Sequence, residues 1–333
     1  ADTAPVFTPG DNFNTVLYTG NGSTQAITGT GFEPDLIWTK NRSSVQNHYL
    51  FDSVRGDFKA IYPDLTNAEF SSTNYISFDS DGFTTGSTQN QNNNNYVAWN
   101  WKAGGAARNN TNGNNITSQV SANTAAGFSV VKWTGDANSS STIGHGLTPN
   151  SQPMLVIMKD LDSSNDWMVI TNNLWSNPTA YFLKLNLTNA LATGTGNPYL
   201  VNNTVFQNTN RNISGNDYIA YCFHSVAGYS KIGSYTGNGS ATGPIVTLGF
   251  EPAWIMIKRS SSNASGGNWI IKDNKRDTTN PNTQNLYANL SAAEENAYPV
   301  DFNSNDFQIL ESNVDINENG GTYIYMAFAT NPT

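Results

Sequence analysis

A single cysteine, Cys222, among 333 residues leaves no internal disulfide to staple the chain. A secreted domain of this kind would carry bridges, so the lone thiol points to assembly in a reducing cytoplasm. Charge is scarce as well. Asp, Glu, Lys and Arg make up 12% of the chain, about half the usual share. The net charge is −9, and the few basic residues, such as Lys40, Arg42, Arg55 and Lys59, are scattered. No basic face is available for phosphates, which excludes a nucleic-acid partner. No apolar run reaches the length of a membrane span, so no membrane insertion is expected, and no charged-then-apolar signal segment opens the chain. The first residue is Ala1, as in a processed chain or a fragment. Helical periodicity is nearly missing too; Ala288 to Ala297 is the one stretch that reads as a short helix.

What is present is repetition. Tyr18-Thr-Gly-Asn-Gly-Ser23 returns as Tyr235-Thr-Gly-Asn-Gly-Ser240, with a weaker copy at Trp133-Thr-Gly-Asp136. Each is followed by a glycine–proline step: Gly31-Phe-Glu-Pro34, Gly146-Leu-Thr-Pro149 and Gly249-Phe-Glu-Pro252. Apolar runs ending in lysine come next, at Leu36 to Lys40, Leu155 to Lys159 and Trp254 to Lys258. Aromatic runs close each copy, at Tyr96 to Trp99, Tyr218 to Tyr221 and Tyr323 to Met326. Three copies of one module point to a structural or binding array before an active site. Runs rich in β-branched and aromatic residues, with Asn-Gly turns at 21–22, 238–239 and 319–320, read as strands.

The expected fold is therefore all-β: three tandem antiparallel β-sandwich repeats, jelly-roll-like, of about a hundred residues each. The boundaries are a lead at 1–11, repeats at 12–105, 127–228 and 229–333, and a polar linker at 106–126. With no gap between the second and third repeats, those two are expected to dock rigidly and the first to be freer. Trp167 and Trp269 occupy matched positions and read as core anchors. A single closed body with internal pseudo-threefold symmetry is the alternative.

Three long phrases carry a family resemblance: residues 31–43 (Gly-Phe-Glu-Pro-Asp-Leu-Ile-Trp-Thr-Lys-Asn-Arg-Ser), 51–56 (Phe-Asp-Ser-Val-Arg-Gly) and 96–105 (Tyr-Val-Ala-Trp-Asn-Trp-Lys-Ala-Gly-Gly). Residues 218–231 and 323–332 repeat the theme. Together they resemble a domain of unknown function from structural, often tail-fibre-like, proteins of marine tailed bacteriophages. The resemblance implies a place in the virion, assembled in the host cytoplasm, with other virion proteins as partners and contact with a host surface. A homo-oligomer is expected on the same ground. The family brings no established catalytic residues.

Aligning the copies tests each candidate site. His48 falls where Trp167 and Trp269 stand, His145 where Thr30 and Leu248 stand, and His224 where Lys102 and Ala329 stand. No histidine recurs or has a second ligand at metal spacing, so no catalytic or metal role is expected of them. Glu33 and Glu251 recur without a partner acid, unlike a glycosidase pair. Asp52 and Arg55 recur as Asp273 and Arg276, while the middle copy has Thr171 and Leu174. These read as structural ion pairs. Asp79, Asp81 and Asp315 are weak calcium candidates, since the loop at Asp315 has Met326 where a bidentate Glu belongs. Neither metal nor cofactor is expected. Trp175, Tyr62 and Tyr199 sit among polar residues or near prolines and are the glycan-contact candidates. The functional expectation is a non-enzymatic virion fibre or appendage component that contacts host-surface glycan. The alternatives are a purely architectural virion subunit and a β-scaffold polysaccharide-degrading enzyme.

Overall fold

A computed structural model describes residues 8–172, 180–193, 201–208, 212–261 and 267–329. The chain is all-β, and the strands of its sheets pair antiparallel among the described residues. A four-strand order recurs in three sheets. In the first, the strands run Phe13–Thr19, Asn95–Trp101, Leu36–Asn41 and Tyr49–Asp52 from edge to edge. The second has Phe128–Thr134, Asp217–His224, Met154–Asp160 and Met168–Thr171 in the same places. The third has Ser230–Thr236, Thr322–Ala329, Pro252–Arg259 and Trp269–Asp273, and continues through Asn282–Tyr287, Glu295–Phe302, Asp306–Ile309 and Ile245–Thr247 to eight strands.

The closing strands explain how these sheets pack. Successive side chains point to opposite faces of a sheet. Val97, Trp99, Ile219, Tyr221, Phe223, Ile324, Met326 and Phe328 all enter one central core common to the three sheets. Their alternating neighbours enter three separate clusters: Tyr96 and Ala98 in one, Tyr218, Ala220 and Cys222 in another, Tyr323, Tyr325 and Ala327 in the third. Each closing strand is thus buried on both sides, which is why it reads as continuously apolar. Shorter strands help to form the outer clusters: Ile27 and Phe83 in the first, Ile143 and Phe206 in the second, Val246 and Phe307 in the third.

Three expectations need correction. The expected sandwiches are not independent: each sheet closes an outer cluster of its own, yet Trp99, Trp167 and Trp269, from the first, second and third copies, all belong to one central core. The segment 106–126 is not a free linker: Arg108–Asn110 and Ser118–Asn123 extend the second sheet beyond its opening strand, and Val120 is buried. The helix expected at 288–297 is absent. That stretch leaves one strand at Tyr287 and enters another at Glu295, and the α-helix among the described residues is Val314–Asn317. No helix among the described residues is long and apolar enough to cross a membrane.

Candidate ligand groove and the joints between sheets

Hydrogen bonds tie the three sheets into a closed cycle. The Glu69 N–H of the first sheet's connection donates to the Leu161 carbonyl after the second sheet's lysine strand, at 2.7 Å. Leu191 N–H donates to Ser260 at the second-to-third joint, and Glu294 N–H to Arg42 at the third-to-first, each at 2.9 Å. Arg42, Leu161 and Ser260 each lie two residues beyond the lysine of their strand. Indole donors cross the same joints: Trp167 Nε1 to the Tyr62 carbonyl and Trp269 Nε1 to the Lys184 carbonyl, both at 2.8 Å. The buried ammonium groups of Lys40 and Lys258 add bonds to the carbonyls of Ser291 and Thr188 across their joints. The first sheet is bound on both sides, contrary to the expected freedom of the first repeat.

The Asp–Arg pairs sit in these joints. Asp52 accepts from Arg55 Nε and from the backbone N–H of Arg55, and it also accepts from the Tyr221 hydroxyl of the second sheet at 2.8 Å. Asp273 accepts from Arg276 in the same two ways and from Trp99 Nε1 of the first sheet at 3.0 Å. Arg55 reaches on to Glu69, and Arg276 to Glu294. Both Asp–Arg pairs have fully buried side chains. The middle copy has Thr171, Leu174 and Leu191 at the positions of Asp, Arg and Glu, and the third closing strand has Met326 where Trp99 and Tyr221 donate. Donor and acceptor are thus absent together in the middle copy.

One recurrent motif in these joints escaped the sequence reading. Asp64-Leu-Thr-Asn-Ala-Glu69, Asn186-Leu-Thr-Asn-Ala-Leu191 and Asn289-Leu-Ser-Ala-Ala-Glu294 are the same loop. Its first residue caps the fourth strand, accepting through Oδ1 from the N–H of His48, Trp167 or Trp269. Asn186 and Asn289 then donate through Nδ2 to Asp166 and Asn268. Asp64 has no such donor when ionised, and its buried Oδ2 has no partner. Burial pushes its carboxyl up to about 7, against the opposing pull of its N–H donors and of Lys40.

A pH effect follows. Because the folded-state value lies above the ordinary 3.8, Asp64 favours folding fully below about pH 4, and that contribution is lost as pH rises to about 7. Asp64→Asn keeps the oxygen that accepts from the His48 N–H and stays neutral at every pH. The variant is expected to match the parent near pH 4 and to exceed it by roughly 1–3 kcal/mol at pH 8, the cost of a buried unsatisfied group. Denaturant unfolding of both proteins across that range checks this; a gap that does not change with pH overturns it.

The other candidate residues have structural occupations. His48 Nδ1 accepts from Trp38 Nε1 at 2.9 Å, and burial keeps its pKa well below the usual value. His145 Nδ1 accepts from the Leu147 N–H, which leaves Nε2–H to donate to the Asn202 carbonyl at 3.0 Å; burial lowers its pKa to about 4. His224 Nδ1 lies 2.9 Å from the Ser225 carbonyl. Glu33 and Glu251 are exposed, in the loops that lead into the lysine strands of two different sheets. Asp81 is committed to the N–H groups of Gly29 and Gly31, Asp79 to the Thr84 hydroxyl, and Asp315 to Asn268 and Tyr298. No group of three metal-ligating side chains occurs among the described residues. Tyr62 is half-buried, its ring 4.4 Å from that of Phe70 and 4.9 Å from that of Tyr49, so it serves packing. Trp175 and Tyr199 lie outside the described residues.

An open groove of about 480 Å³ lies at one end of the second sheet, lined by Ser151, Asn172, Val201, Asn202, Asn203 and Thr204. Asn172 directly follows the fourth strand, and Ser151 belongs to the turn that leads into the lysine strand. Asn150 and Ser151 both adopt left-handed backbone, with φ of 49° and 67°. That is uncommon for two successive non-glycine residues. The Asn203 carboxamide oxygen fixes this turn by accepting from Ser151 N–H at 3.0 Å. Asn172 Oδ1 accepts from Met154 N–H, and Asn202 Oδ1 from the N–H groups of Thr204 and Val205. Buried His145 holds the Asn202 carbonyl from beneath. No side chain among the described lining residues is charged. Such a surface can hydrogen-bond a neutral polar ligand, and its described residues offer no carboxylate pair for acid–base chemistry.

No curated protein and no solved structure matches the chain. Residues 8–332 match a family described as a domain of unknown function, DUF7483, so the chain belongs to that family.

Proposed function

We propose that this protein is a non-enzymatic structural component of a phage virion, in a tail fibre or surface appendage, which contacts host-surface glycan. In this reading its three sheets are copies of one module closed into a ring. The groove of Ser151, Asn172, Asn202, Asn203 and Thr204 carries the glycan part of the proposal. Its polar side chains are uncharged, and backbone bonds fix its carboxamides, as recognition of neutral hydroxyl-rich ligands requires. In sequence, Trp175 follows Asn172 by three residues and Tyr199 precedes Val201 by two, and both are aromatic residues of the kind that stack on sugar rings.

Single contacts of this sort are weak and gain from repetition, because linked copies raise the effective concentration. Display of the intact protein in several copies should therefore strengthen binding to susceptible cells by roughly 100-fold or more over the isolated chain. No soluble sugar should be released from the cell polysaccharide. Trp175→Ala should weaken attachment with little change in Tm. The closed cycle of joints also suits a purely architectural virion subunit. Multivalent protein that binds no susceptible cell would favour that second reading.

A further inference from the structure

The groove's chemistry also narrows the ligand. We infer that it binds uncharged sugars, hexose or N-acetylhexosamine, directly and without a bridging cation; this rests on the glycan-contact reading above. From Trp167 to Asn216 the sequence has no Asp or Glu, and its only basic residues are Lys184 and Arg211. Lys184 is engaged with Asp166 at 2.7 Å, and Arg211 lies outside the described residues. Among the described lining residues Ser151 lies outside that stretch, and it too is neutral.

Each charged alternative would need groups that the described lining residues do not supply. Uronate, sialate or sulfated sugars are held by guanidinium or ammonium groups, through charge-assisted bonds about twice as strong as neutral ones. Sugar binding through calcium needs several carboxylate oxygens on the cation. Neither set occurs among the described lining residues.

The orientation of the carboxamides supplies the positive argument. Oδ1 of Asn172, Asn202 and Asn203 is taken by the N–H groups of Met154, Thr204 with Val205, and Ser151. Flipping any of these amides would set Nδ2 against a backbone donor. Nδ2 is thereby fixed as the group each side chain can offer to a ligand. Those donors suit sugar hydroxyl, ring or acetamido oxygens, while the hydroxyls of Ser151 and Thr204 can accept in return.

Asn172→Asp and Asn203→Asp test this cleanly. Each keeps the oxygen that accepts from the backbone, replaces the outward donor by a carboxylate oxygen and leaves shape nearly unchanged. The intact protein, displayed multivalently, is applied to uncharged polysaccharides (dextran, galactan, chitin oligosaccharides) and to acidic ones (alginate, polysialic acid), with and without EDTA. Expected are binding within the uncharged set, indifference to EDTA, and a loss of about tenfold or more in each variant, or about 1.4 kcal/mol, with Tm retained. If a variant's Tm falls, the parent's EDTA and acidic-glycan results still decide. Binding confined to acidic polysaccharide, or abolished by EDTA, overturns this inference and leaves glycan contact standing. Failure on every polysaccharide and on susceptible cells overturns the glycan-contact reading itself.

Discussion

Arg276→Leu is expected to destabilise the protein by about 3–5 kcal/mol, the usual cost of breaking a buried ion pair from one side. The residue that suffers is Asp273, whose side chain is fully buried and would keep only Trp99 Nε1 and backbone N–H donors. Glu294 is less affected, because Arg42 pairs with it as well, at 2.6 Å. The middle copy indicates a milder route. It has Thr171 and Leu174 at these positions, so charge and countercharge are absent together. The double variant Asp273→Thr/Arg276→Leu should therefore lose less than Arg276→Leu alone. What remains is the unpaired Trp99 indole, worth roughly 1–3 kcal/mol. A double-mutant cycle by denaturant unfolding measures the coupling. Additive losses would show that the two charges do not depend on each other, and the account of this joint would fail.

The same residues show what the sequence could and could not reveal. Asp52, Arg55, Asp273 and Arg276 were recognisable as recurrent pairs, and the strand phrases located the sheets. The partners were hidden, because Trp99 and Tyr221 lie 174 and 169 residues from the aspartates they bond. Repetition reveals the module but not which copy faces which. The shared core was hidden for a related reason. A strand buried on both faces shows no alternation, and its pattern is the same whether the second covering layer is its own or a neighbour's.

Local propensity misled at Ala288 to Ala297. The Ala- and Glu-rich run favours helix in isolation. There, however, Asn289 caps the fourth strand and Glu294 joins Arg42 and Arg276. Tertiary contacts override the preference, and the recurrence at Asp64 and Asn186 was the available clue. For the groove, the abundance of Asn and Ser was visible beforehand. Its location was not, because it is assembled from three turns distant in sequence.

Trp269→Ala should remove a further 3–5 kcal/mol or so, as expected when a buried large aromatic is deleted. The side chain is 1% exposed, lies in the central core, and its indole donates to the Lys184 carbonyl of the second sheet. Trp269→Phe keeps much of the volume and loses the donor, so a smaller cost near 1 kcal/mol is expected. The more telling measurement is how the loss is distributed. Independent sandwiches would weaken only the third sheet, and probes placed in the first and second would keep their midpoints. A common core couples them: Trp99 and Trp254 lie 6.3 Å apart although they come from the first and third sheets. Denaturant melting followed by local probes in each sheet should give coincident transitions that all shift together in Trp269→Ala. A shift confined to the third sheet would mean that the central cluster does not bind the sheets into one cooperative unit. A loss under about 1 kcal/mol would place Trp269 outside the core and contradict its burial.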